Sequence, residues 1–125
     1  MKEHANILVA VEDDPAFQVL IRATLNEASE LDILEEMPAT IERALEVARE
    51  VQPELIILDH NLGGEMIGLS AAPKLKEAAP NAKILLFTAY DIGAEARREP
   101  AIDAFLRKDN VDQLLETSNR LLGLA

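Results

Sequence analysis

The chain has 125 residues, 49% apolar and 28% charged, with 12 Lys and Arg against 23 Asp and Glu for a net charge of −11. This suits one domain over residues 1–125, burying roughly two thirds of its unfolded surface, while the negative charge and four aromatic rings argue against direct nucleic-acid binding. Zero cysteines exclude a disulfide framework, thiol catalysis and thiolate metal sites, and the lack of a long apolar run or an apolar leader after Met1 predicts a soluble, cytoplasmic protein without membrane association.

Ile7-Leu8-Val9-Ala10-Val11 is a continuous apolar run, the pattern of a strand buried on both faces in a parallel sheet. Asp14 before Pro15 reads as an N-cap followed by proline at the first helical position. Phe17, Leu20, Ile21, Thr24 and Leu25 then recur at i, i+3, i+4 and i+7, which predicts a one-sided first helix. A second strand is expected over Asp32 to Met37, ended by Pro38. Ile41, Ala44, Leu45 and Ala48 mark the second helix, and Leu55-Ile56-Ile57-Leu58 the third strand. The third helix spans about Gly68 to Ala79, with Pro73 favouring a start near Ser70 that puts the proline in its first turn. Ile84-Leu85-Leu86-Phe87 is the fourth strand, Asp91 to Glu99 a short fourth helix and Ala104-Phe105-Leu106 the fifth strand. Asn110 with Gln113 reads as a capping box for a last helix carrying Val111, Leu114, Leu115 and Ser118. No internal repeat or low-complexity linker interrupts the series. Five strands alternating with five helices predict a doubly wound α/β sandwich, whose ligands belong at the carboxyl ends of its strands.

Glu12-Asp13-Asp14 follows the first apolar run, Asp59 the third, Thr88 the fourth and Lys108 the fifth. All four sets would meet on one edge of the sheet. Taken singly, each has an ordinary structural use: a solvated helix start, a strand-to-loop acid, a structural hydroxyl, an exposed lysine. Their conjunction arises by chance in roughly one chain in several hundred, which favours a site. A carboxylate attacks phosphorus if a hard cation suppresses its repulsion with the incoming phosphoryl group. Mg²⁺ takes oxygen ligands and keeps waters, so Asp13, Glu12 through its longer arm or a water, Asp59, a loop carbonyl and a phosphoryl oxygen would suffice. Lys108 offers a point charge, Thr88 a hydrogen bond, and Ala89 leaves the approach open.

The sequence resembles the receiver domain of bacterial two-component response regulators, the family of the chemotaxis protein CheY. The resemblance covers nearly the whole chain. It rests on I-L-V-A-V-E-D-D-P at 7–15, P-E-L-I-I-L-D at 53–59, I-L-L-F-T-A at 84–89 and A-F-L-R-K at 104–108. It implies a flavodoxin-like (βα)5 sandwich with a five-stranded parallel sheet of order 2-1-3-4-5. It also implies Asp59 as phosphoacceptor, Glu12 and Asp13 as the acidic Mg²⁺ pair, Asn61 as a backbone-carbonyl ligand, Thr88 and Lys108 as switch hydroxyl and phosphate-binding lysine, and Phe105 as switch aromatic. The implied donor is a histidine kinase or phosphotransfer protein, and the output an unknown protein or effector domain reached through a switching face. No turnover of an external substrate is expected, and the chain is expected to be a monomer or weak dimer.

The chain departs from the family pattern in two places. The loop after Asp59 lacks the usual proline and sets Gly68 one place late, and the segment from Thr88 to Lys108 is about two residues short and carries Pro100, a departure that falls on helix 4 and the output face. His60 reads as pointing to the opposite side of its strand, with no catalytic role. Three competing readings remain distinguishable. An aspartate-nucleophile phosphohydrolase would need Asp and Thr where Asn61 and Gly63 stand. A receiver-like docking module that works without phosphorylation would lack one of the acid, threonine or lysine, and none is missing. A flavin or nucleotide binder would need a Gly-rich or hydroxyl-rich loop where the acidic triplet stands.

Overall fold

The computed structural model describes residues 5–10, 14–28, 30–60 and 68–124. Five strands, β1 (Ala5–Ala10), β2 (Leu31–Ile33), β3 (Leu55–Leu58), β4 (Lys83–Thr88) and β5 (Ala104–Arg107), form one sheet of order β2-β1-β3-β4-β5. Every pairing is parallel. The helices are α1 (Pro15–Leu25), α2 (Ile41–Val51), α3 (Gly68–Ala78), α4 (Gly93–Arg98) and α5 (Leu114–Leu122). The doubly wound sandwich with strand order 2-1-3-4-5 is therefore present.

The alternating direction of side chains along each strand sorts the core into two layers. Leu8, Ile56, Leu58, Ile84 and Leu86 meet α2, α3 and α4 through Ala44, Ala48, Ala71, Ala72, Leu75 and Ala96. Their neighbours Ile7, Val9, Leu55, Ile57, Leu85 and Phe87 meet α1 and α5 through Ile21, Leu25 and Leu114. Both sides of β3 are thus packed, which is why its sequence is apolar without alternation. Among the described residues, no helix is long and apolar enough to cross a membrane.

Local chemistry sets the helix starts. The Asp14 side chain accepts a hydrogen bond from Ala16 N at 3.0 Å with Pro15 at the first helical position, and Thr40 Oγ1 accepts from Arg43 N at 3.2 Å. Three expectations need correction. The second strand is Leu31–Ile33 and does not run on to Met37. Leu34 N still donates to Ile7 O at 2.9 Å, but the carbonyls of Leu34 and Glu35 then accept from Arg22 Nη2 at 3.4 and 3.5 Å, so a side chain takes over from a strand. Helix α3 keeps the expected start at Gly68, not the later one near Ser70, and so carries Pro73 beyond its first turn. Its start is fixed by Gly68 N donating to His60 O at 3.1 Å. Finally, no capping box opens the last helix: Lys108–Gln113 is a 3-10 segment kinked at Asn110, and α5 begins at Leu114 with no side-chain cap. Helix α4 is short, as expected, at six residues.

Candidate functional site

The sheet register brings three of the singled-out residues to one edge. Leu58 is level with Leu86, and Thr88 with Arg107, so Asp59, Thr88 and Lys108 all fall at or just past the carboxyl ends of β3, β4 and β5. The end of β1 lies beside them, because Asp59 N donates to Ala10 O at 3.2 Å. Continuous apolar strands make this edge: each run ends where the first polar side chain appears.

Asp59 is 5% exposed, and its Oδ2 accepts a hydrogen bond from Lys108 Nζ at 3.1 Å. Both side chains are largely withdrawn from water, at 6% and 15% exposure. Taking two charges out of water is costly unless they meet, which favours a close pair here. Thr88 is fully buried, and its Oγ1 accepts from Tyr90 N across a long 3.4 Å. Accepting leaves the O–H proton of Thr88 to be donated elsewhere.

The backbone around Asp59 tolerates no crowding. A Cβ at position 68 would lie 2.7 Å from His60 Cα and 2.8 Å from Asp59 O, so only glycine lets α3 start this close to the strand end. His60 sits with its ring edge-on to Tyr90, centroids 5.9 Å apart, and its buried Nδ1 has no hydrogen-bond partner among the described residues. Burial pushes the imidazole pKa below its ordinary value, against the opposing pull of Asp59 and Glu95. Phe105, on β5, is partly buried against the α2–α3–α4 layer, with its ring 3.4 Å from where a Cβ on Gly93 at the start of α4 would stand.

Glu12, Asp13 and Asn61 lie outside the described residues. Among the described residues no group of three His, Cys, Asp or Glu could hold a metal ion. The donors named for one, three carboxylates and a carbonyl, are all hard oxygens, a set that suits Mg²⁺. One neighbour of the site escaped the sequence reading. Phe17 on α1, assigned to the helix's apolar stripe, has its ring centroid 4.4 Å from Lys108 Nζ. Its spacing could not separate that contact from plain core packing.

The family model for the response regulator receiver domain matches residues 7–119. Among curated proteins, the nitrate/nitrite response regulator NarL of Escherichia coli K12 is 29% identical over 112 residues, covering 86% of this chain and 50% of that protein. The response regulator VraR of Staphylococcus saprophyticus is 29% identical over 100 residues, covering 78% of this chain and 47% of that protein. The chain thus spans about half the length of the curated relatives it matches. Among solved structures, the signal receiver domain of a response regulator NarL from Mycobacterium tuberculosis superposes with a TM-score of 0.83 at 21% identity, over 97% of this chain and 98% of that one. The response regulator domain of Thermotoga maritima CheB gives 0.81 at 15% identity, over 98% of both chains. At such identities the superpositions speak for the fold alone.

Proposed function

The chain belongs to the response regulator receiver domain family of two-component systems, and from that premise we propose that it is a single receiver unit over residues 1–125 that accepts a phosphoryl group on Asp59. The observation that carries this reading is the Asp59–Lys108 pair at the carboxyl edge of the sheet, 3.1 Å apart and mostly buried.

An Asp59 oxygen attacks phosphorus of a phosphohistidine on a kinase or phosphotransfer protein. The new P–O bond forms as the P–N bond breaks, and its electron pair leaves with the imidazole nitrogen. Negative charge accumulates on the phosphoryl oxygens, and Lys108 is close enough to neutralise part of it. Glu12, Asp13, Asp59 and the Asn61 carbonyl would hold Mg²⁺, whose chemistry is to screen the attacking carboxylate from the incoming anion. The Thr88 hydroxyl, whose proton its long contact with Tyr90 N leaves available, is drawn toward the phosphoryl group and donates to one of its oxygens. Phe105, packed against the start of α4, then takes up the space Thr88 leaves, and the face around α4 changes for an output protein or effector domain. The chain turns over no external substrate, acts in the cytoplasm and exists as a monomer or weak dimer.

Intact mass after incubation with acetyl phosphate and Mg²⁺ tests the assignment. Wild type gains about 80 Da, one phosphoryl group, and Asp59→Asn gains nothing. A wild type without the adduct, or a variant that keeps it, overturns the reading.

A further inference from the structure

Among the described residues, the Lys108 ammonium meets two unlike groups. Asp59 Oδ2 is at 3.1 Å, and the face of the Phe17 ring has its centroid at 4.4 Å. Phe17 is itself held in place, its ring 5.7 Å from that of Phe87 and tilted by 56°. Phe87 is buried to 1% exposure, and the next residue in β4 is Thr88. One ring on α1 therefore touches the lysine that follows β5 and is braced by the residue that precedes the buried hydroxyl.

We propose that Phe17 is a positioning residue for phosphoryl transfer, its ring face holding the Lys108 ammonium at the acceptor carboxylate. This rests on the reading of Asp59 as phosphoacceptor. Lysine is a point charge on a flexible four-carbon stem, and orienting it costs rotamer freedom that no planar fork has already removed. At 15% side-chain exposure Lys108 has lost most of its hydration, and the negative face of an aromatic ring replaces part of that attraction. The ring is a weaker acceptor than a carboxylate or carbonyl oxygen, so it orients the ammonium yet yields readily to an incoming phosphoryl oxygen. An aliphatic residue at position 17 would fill the same space against Phe87 and supply no such field.

Three full-length variants test this: Phe17→Leu, Phe17→Tyr, and pentafluorophenylalanine at position 17, which keeps the ring's shape and reverses its quadrupole. The readouts are the ring-current shift of the Lys108 methylene protons by NMR and the initial rate of adduct formation from acetyl phosphate with Mg²⁺. In wild type the Lys108 resonances are displaced upfield. Phe17→Leu loses that displacement and is phosphorylated roughly fivefold more slowly, the fluorinated ring slows the reaction similarly with the fold intact, and Phe17→Tyr restores the wild-type rate. A fluorinated variant as fast as wild type, a tyrosine variant as slow as leucine, or undisplaced Lys108 resonances would each overturn the proposal. A wild type that takes no phosphoryl group defeats the reading beneath it instead, while a wild type that does, with equal rates in all variants, defeats only the role of the ring.

Discussion

Two Lys–Asp pairs lie at opposite ends of the same sheet, and they are built differently. At the amino end, Lys76 Nζ and Asp103 Oδ2 meet at 2.8 Å with side chains 28% and 24% exposed. That pair is woven into main chain: Asp103 Oδ2 also accepts from Ile84 N at 2.8 Å, and Lys76 Nζ also donates to the Ala82 carbonyl at 2.7 Å. At the carboxyl end, the Lys108–Asp59 pair is deeper and longer, and a ring face flanks its ammonium. The first pair ties α3 to the beginnings of β4 and β5. The second holds a charge beside a carboxylate at the edge where parallel strands present their ligands. What differs is the surroundings of each ammonium: a main-chain carbonyl beside Lys76 and an aromatic ring beside Lys108.

The largest expected effect tests that division directly. Lys108→Ala slows adduct formation from acetyl phosphate by about 100-fold, the scale of removing one preorganised charge from a reacting anion. Lys76→Ala leaves the rate within about twofold, because its partners lie at the far end of the strands. Equal losses in both would dissolve the distinction. Stability probes the other end: Asp103→Ala takes the carboxylate from the Ile84 N–H and reduces the Lys76 ammonium to its Ala82 carbonyl contact, and urea melts should show a loss of about 2 kcal/mol after allowing for partial exposure.

Metal separates the two ends more finely. At tenfold excess over its dissociation constant, Mg²⁺ stabilises a protein that binds it only when folded by about 1.4 kcal/mol. Thermal melts should show that gain in wild type and in Asp103→Ala, and none in Asp13→Ala. A gain that survives in Asp13→Ala would remove that residue from the site. The smallest effect belongs to a third pair, Arg43–Glu36, whose side chains are 43% and 45% exposed. The hydrogen bond from Arg43 holds the Glu36 carboxyl below its ordinary value of 4.5. Its contribution is therefore present above that value and is lost as pH falls through the lower folded one. Urea melts of wild type and Glu36→Gln should differ slightly at neutral pH and converge in acid.

Much of this was legible in the sequence because burial on both faces leaves a continuous signature. Leu55–Leu58 is bounded as its apolar run is bounded, and the polar residues at the carboxyl ends of the apolar runs pointed to Asp59, Thr88 and Lys108 on one edge without any knowledge of side-chain contacts. What stayed hidden depended on contacts between distant residues. Beyond the end of β2, Arg22 reaches the carbonyls of Leu34 and Glu35, and nothing local to Asp32–Met37 announces it. Asn110 and Gln113 have the right spacing for a capping box, yet the turn there is 3-10 and kinked at Asn110. Phe17 satisfied a helical stripe so well that its second neighbour, a lysine 91 positions later, left no periodic trace.

The Gly68 contact bears on how this chain could vary over evolutionary time. Residues 60 and 68 are stapled by a 3.1 Å hydrogen bond between main-chain atoms, and the carbonyl of Asp59 rests against the same glycine. The chain's exit from position 60 and its entry into α3 are thereby tied to each other directly. Going from seven intervening residues to eight adds about 0.1 kcal/mol of closure entropy, far less than shifting a buried carboxylate would. The glycine's late position in the sequence is a length change of that small cost, whereas any residue with a Cβ at position 68 would collide with the main chain at Asp59 and His60.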